Sequence, residues 1–254
     1  MSNTLKIAAL TIGYNKKSIL TNIDIISQKN QLISVFGRNG KGKSTLLKTL
    51  SGMLPAITGH FIFNGVDVFN LSEKEKSKLI SIVSTTKTDI AGIKVSDFVA
   101  FGRYPYTNWL GINKKEDDAE INNAIYLCNI ENLCNKDYSE LSDGEKQKVN
   151  IARAIAQNTP LIILDEPTVH LDLINNIEVL KLLKKLVENH AKTIIFSTHQ
   201  IEYALQICDE IWLINNDIIA TYSPVELINK EKLKELFDDD TISFDKVTGT
   251  FKIR

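Results

Sequence analysis

Gly37-Arg38-Asn39-Gly40-Lys41-Gly42-Lys43-Ser44-Thr45 is the stretch on which the reading of this 254-residue chain turns. It fits the pattern G-x-x-x-x-G-K-[ST], with Thr45 following. Leu32-Ile33-Ser34-Val35-Phe36 runs straight into it. That run is short, largely β-branched or aromatic, and reads as a buried strand. Leu46, Leu47, Leu50, Met53 and Leu54 come after it at helical spacing. Strand, glycine-rich turn and helix are the context in which the pattern binds phosphate.

The residue types suit that chemistry. Glycines at 37, 40 and 42 let the backbone take turns that a side chain would block, so that loop N–H groups can converge on a phosphate chain. The helix that follows adds the positive end of its dipole. Lys43 puts an ammonium on the β- and γ-phosphates, and Ser44 offers a hydroxyl to Mg²⁺. The alternative is a glycine turn that merely joins strand to helix.

Bulk properties exclude several classes. Apolar residues make up 43% and charged residues 24%, as in an ordinary packed soluble domain. The 30 basic and 31 acidic residues leave a net charge of -1, so no basic field points to nucleic acid. No apolar run approaches the ~18 residues that span a bilayer. The first residues carry no signal-peptide core. Cys128, Cys134 and Cys208 are odd in number, lack metal-ligand spacing and read as free thiols in a reducing cytosol.

Along the chain, Leu5 to Leu10 and Ile19 to Ile26 read as strands around a turn at Gly13-Tyr14-Asn15-Lys16-Lys17. Tyr14 could stack on a purine or simply pack. Asn64-Gly65 signals a hairpin. Ser72 is an N-cap with Glu73 and Glu75 in the first turn. Lys94 to Leu133 is mostly helical, broken by Gly102 and Pro105 in the aromatic segment Gly102-Arg103-Tyr104-Pro105-Tyr106-Thr107-Asn108-Trp109. That segment is either a docking face or a loop whose rings pack back on its own helices. Ser142-Asp143-Gly144-Glu145 completes a capping box at a helix start. Leu161-Ile162-Ile163-Leu164 is a buried strand ending in Asp165-Glu166. Two carboxylates there need a cation or a proton, and Mg²⁺ with an attacking water supplies the reason. Leu171-Asp172 opens a helix. Thr193 to Thr198 is a further core strand capped by His199, which is structural or a γ-phosphate contact. Ser223-Pro224 opens a late helix, and Lys246 to Thr250 suggests a terminal hairpin.

Taken in order, Tyr14, the loop from Gly37 to Thr45, Leu141 to Glu145, Leu164 to Thr168, Leu171-Asp172 and His199 resemble the ATP-binding cassette ATPase over nearly the whole chain. The resemblance implies the following roles. Tyr14 stacks on adenine. The loop residues Gly37, Arg38, Asn39, Gly40, Lys41, Gly42, Lys43, Ser44 and Thr45 hold the phosphates. Ser44 and Asp165 manage Mg²⁺, and Glu166 is the general base. His199 senses the γ-phosphate. Ser142 and Gly144, within the signature stretch that includes Asp143 and Glu145, grip the γ-phosphate bound by a second copy. Asp172 lies at that interface. Two departures stand out. Asp143 and Glu145 replace the family's Gly and Gln, which adds a carboxylate near the partner's phosphate. The family's loop glutamine should fall near Thr85, where the chain has only Ser84-Thr85-Thr86.

The resemblance also implies one ATPase domain over residues 1–254. It is an α/β P-loop core with an antiparallel β subdomain and a helical signature subdomain at about residues 87–157. ATP and Mg²⁺ are the cofactors, and the working form is an ATP-sandwiched homodimer. Gly102-Arg103-Tyr104-Pro105 is similar to the Gly-Arg-x-Pro stretch of cassettes that drive importers of iron–siderophores, haem or cobalamin. That implies two membrane permease subunits docked through Gly102 to Trp109, a binding protein acting at one remove, and a place on the inner face of the membrane. The rivals are a soluble non-transport cassette ATPase, which usually carries a coiled-coil insertion or a second cassette, and an exporter cassette, which is normally fused to a membrane domain.

Overall fold

A computed structural model describes residues 4–15, 17–84, 90–107, 115–169, 171–215, 217–230, 233, 242–245 and 250–253. The chain forms two compact units, one of Met1–Asn70 with Thr193–Arg254 and one of Leu71–Lys192.

In the first unit, β1 (Thr4–Tyr14) and β2 (Lys17–Gln28) pair antiparallel. Pairing was expected to stop near Leu10. It continues past an irregularity at Ala9, whose φ is 46°, because Leu10 and Ile12 resume the inward alternation and are fully buried. Tyr14 therefore belongs to the strand and sits opposite Lys17. β4 (Thr58–Phe63) lies on the other side of β1 and turns into β5 (Val66–Asp67). Asn64 and Gly65 take φ values of 54° and 79°, the double left-handed turn that their sequence signals.

A second sheet in this unit has β3 (Leu32–Gly37) between two parallel neighbours, β8 (Thr193–Ser197) and β9 (Glu210–Asn215). β10 (Ile218–Tyr222) pairs antiparallel with β9. All six residues of β3 are buried, which is why it reads as an unbroken apolar run rather than an alternating one. Helix α1 (Lys43–Leu50) follows and buries Leu46, Leu47 and Leu50 completely. Met53, expected on the same face, is 60% exposed. The helix has ended before it, with Ser51 donating to the Leu47 carbonyl and Gly52 at φ 81°. α7 (Ile201–Ile207) and α8 (Pro224–Asn229) complete the unit, the latter capped by Ser223. The expected terminal hairpin is present as β11 (Ile242–Asp245) and β12 (Thr250–Ile253); its turn lies outside the described residues.

In the second unit, α2 (Glu73–Leu79), with its Ser72–Glu75 capping box, leads into β6 (Ile80–Val83), which runs parallel to β7 (Leu161–Leu164). Between them come α3 (Val95–Ala100), α4 (Lys115–Leu127) and α5 (Asp143–Ala156). α6 (Leu173–His190) follows β7. Phe98 of α3 stacks on Tyr138 with ring centroids 4.3 Å apart. As expected, the α-helix does not run through Gly102 and Pro105: α3 ends at Ala100, and residues Phe101–Tyr106 follow it as a 3₁₀ turn. Gly102 packs so closely that a Cβ there would lie 2.2 Å from the Arg153 carbonyl oxygen of α5. Among the described residues, no helix is long and apolar enough to cross a membrane.

Candidate functional site

The phosphate-loop pattern takes the shape its residue types require. β3 delivers the chain to Gly37 at the centre of its sheet. A Cβ at Gly37 would stand 2.8 Å from the Ile214 carbonyl oxygen, so the strand can end there only without a side chain. Arg38, Asn39 and Gly40 are exposed, and the chain re-enters the protein at Gly42. Gly42 takes φ 93° and serves as N-cap of α1 without a side-chain cap bond. The N-cap thus supplies no hydroxyl or carboxylate to the first turn of α1, which suits an anion at that end. Lys43 is only 5% exposed. Its Nζ donates to the carbonyl oxygens of Gly37 at 2.8 Å and Arg38 at 3.3 Å. These two carbonyls hold the ammonium against the loop. Ser44 is half-buried beside it, and Thr45 is buried, its carbonyl accepting from the Thr49 hydroxyl at 2.9 Å.

His199 leaves β8 at the same end of the parallel pair. Val35 is in register with Ser197, the Thr198 N–H donates to the Val35 carbonyl at 3.3 Å, and Gly37 and His199 each lie two residues beyond that pair. His199 is exposed. Tyr14, at the tip of the β1–β2 hairpin, is 46% exposed.

In the second unit, β7 is buried throughout and is followed by Asp165, itself 4% exposed, whose N–H donates to the Val83 carbonyl at 2.9 Å. Glu166 follows with φ 48°, a left-handed conformation that is uncommon for Glu and that orients the residue after the strand. Hydroxyl and carboxylate oxygens such as those of Ser44 and Asp165 are the hard donors that Mg²⁺ takes. Thr85 lies outside the described residues.

Ser142 caps α5 as its sequence signals. Its Oγ accepts from the Glu145 N–H at 3.3 Å, and Glu145 Oε2 accepts from the Ser142 N–H and hydroxyl, each at 2.9 Å. The Ser142 N–H, with help from the Ser142 hydroxyl and nearby Lys136, holds the Glu145 carboxyl below its usual range. The carboxylate that departs from the family pattern therefore turns back on its own helix cap. Asp143 is exposed in the same first turn, and Gly144 is half-buried. Asp172 caps α6, accepting from the Asn175 N–H at 2.8 Å.

The aromatic segment divides. Gly102 and Arg103 are buried rather than presented at a surface. Arg103 Nε donates to Asp117 Oδ1 at 2.8 Å and Nη1 to the Ala156 carbonyl at 2.8 Å, while its guanidinium lies 4.0 Å from the Tyr106 ring centroid. Phe101 and Tyr104 turn outward, 50% and 75% exposed. Trp109 lies outside the described residues. Sequence reasoning missed Asp117 as Arg103's partner; its place in an acidic first turn of α4 gave no sign of it.

Residues 20–169 match the sequence profile described as ABC transporter. The chain belongs to the ABC transporter family. It is 36% identical over 232 residues to the achromobactin transport ATP-binding protein of Dickeya dadantii, covering 91% of this chain and 86% of the relative. It is 31% identical over 233 residues to the ferric enterobactin transport ATP-binding protein of Escherichia coli, covering 90% and 84%. Among solved structures, a metal-chelate type ABC transporter in an inward-facing conformation superposes with a TM-score of 0.81 at 28% identity, covering 99% of this chain and 96% of that one. As an ABC transporter ATPase, this chain is the ATP-binding, ATP-hydrolysing subunit, built on the P-loop fold.

Proposed function

We propose that the chain powers import of an iron–siderophore or a related metal chelate by binding and hydrolysing MgATP. The buried Lys43 ammonium, aimed by two main-chain carbonyls at the open end of α1, carries the nucleotide half of the reading. The names of the siderophore-transport relatives support the cargo. Lys43 and the loop amides neutralise the β- and γ-phosphates. Ser44 and Asp165 are the protein's donors to Mg²⁺, which when bound offsets charge on the transferring phosphoryl group. Glu166 accepts a proton from the attacking water, and His199 contacts the γ-phosphate. Tyr14 stacks on the adenine.

The active form pairs two copies. Ser142 and Gly144 meet the γ-phosphate held by the other copy, near Asp172. A cassette of the same fold has been solved as a dimer with ADP and Pi. Two permease subunits take up the face that carries Phe101 and Tyr104, which would place the chain on the inner surface of the membrane. Glu166→Gln tests the chemistry: it should keep nucleotide affinity while lowering turnover by 10² or more. Wild-type turnover in that variant would remove Glu166 from the role. Co-purification with a permease that binds ferric siderophore tests the cargo.

A further inference from the structure

The phosphate loop carries a second lysine whose surroundings differ from those of Lys43. Lys41 stands between Gly40 and Gly42, and its N–H turns onto the Arg38 carbonyl at 3.4 Å. Its ammonium does not rest on loop carbonyls. It reaches Asp217 Oδ1, at 3.2 Å, in the turn between β9 and β10. Asp217 takes φ 62°, a left-handed residue that points a carboxylate back at the loop from 176 positions away. β9 itself is the parallel neighbour of β3, with Ile214 in register with Gly37. The turn that carries Asp217 is therefore fixed to the strand that delivers the loop.

We propose that Asp217 is a positioning residue that sets the nucleotide affinity of the loop by neutralising Lys41. The inference rests on the nucleotide-binding reading above and adds a determinant outside the loop. Lys41 has a carboxylate as its partner, which offsets its charge. Both members of the pair are well exposed, with 38% and 66% of their side chains accessible, so the pair is weak and easily broken when a polyanion arrives. The loop then presents, beside Lys43, a second cation held in check. Removing the carboxylate exposes a second positive charge to the phosphates. Removing the lysine leaves a bare negative charge facing them.

The test is nucleotide binding by the full chain, measured with a fluorescent ATP analogue and Mg²⁺ at low and high salt, for wild type, Asp217→Asn, Lys41→Gln and Lys43→Ala. Asparagine tolerates the left-handed backbone, so Asp217→Asn changes charge and little else. Asp217→Asn should bind about threefold more tightly than wild type and Lys41→Gln about threefold more weakly in low salt. Both differences should shrink toward unity in high salt as the field is screened. An unchanged or weakened affinity in Asp217→Asn, with melting temperature preserved, overturns the inference. So does an unchanged affinity in Lys41→Gln. If instead wild type and Lys43→Ala bind alike, it is the nucleotide reading itself that fails.

Discussion

Asp172 Oδ2 accepts from Asn175 Nδ2 at 2.9 Å, and that amide is the group a Cβ on Gly144 would meet, at 3.3 Å. The residue that caps α6 thus fixes the side chain that stands against the signature glycine of α5. Asp172 Oδ1 also accepts from the Asn175 N–H at 2.8 Å, so one carboxylate holds both backbone and side chain of the same residue. Asp172→Ala removes the cap and should destabilise the protein by about 1 kcal/mol. Urea unfolding would show this as a lower midpoint with an unchanged slope. An unmoved midpoint would mean that α6 does not depend on the cap.

Arg103 and Asp117 form a buried ion pair with side chains 8% and 3% exposed. Removing one partner strands the other away from water. Asp117→Ala should therefore cost about 3–5 kcal/mol, whereas replacing both residues with apolar ones of similar volume should recover much of that. A double-mutant comparison by chemical denaturation reads the difference. Equal losses in the single and double variants would contradict a role confined to the pair.

Burial pushes the Cys128 thiol up to about 12, with nearby Lys148 only partly opposing it. At pH 8 it is protonated and inaccessible, so a thiol reagent should leave it unmodified in the folded protein and label it once denaturant is added. Cys208 is buried as well, while Cys134 is half-buried. Mass spectrometry after a short exposure should find Cys134 modified first. Rapid labelling of Cys128 would contradict its place in the core.

Burial likewise raises Glu210, against the opposing hydrogen bonds from Ser27 at 2.8 Å and the Trp212 indole at 3.0 Å. A carboxyl whose folded pKa exceeds its unfolded value holds its proton longer in the folded state. The stability this gives is complete below about pH 4.3, the ordinary glutamate value, and is lost as pH rises through the folded value. Glu210→Gln should flatten the stability profile across that window. The Trp212 emission should titrate in wild type over the same range and not in the variant. A titration that survives Glu210→Gln would assign it to another group.

Much of this was legible locally. The run of residues 32–36, the glycines after it and the leucines of α1 are neighbours in sequence, and their periods and turn preferences name strand, loop and helix directly. The N-caps at Ser72, Ser142 and Ser223 are local signals and were equally visible; of the capping boxes only the one at Ser142 was read, and those that Glu75 and Glu226 complete were not. What escaped reading is long-range. Arg103 looked like part of a surface motif because its partner Asp117 lies beyond the intervening segment. The tight seat of Gly102 against Arg153 is decided by how two helices pack. Lys41 and Asp217 meet only because β9 pairs with β3. Met53 continued the helical spacing of Leu46 and Leu50, but Gly52 ends the helix first.

The most direct test of the account is the affinity of the purified chain for MgATP, compared with that of Lys43→Ala. The account predicts clear binding by wild type and a loss of at least tenfold in the variant, since a charge-assisted contact to phosphate is removed from a site that water cannot readily refill. Equal affinity in the two proteins, or no binding by either, would contradict it.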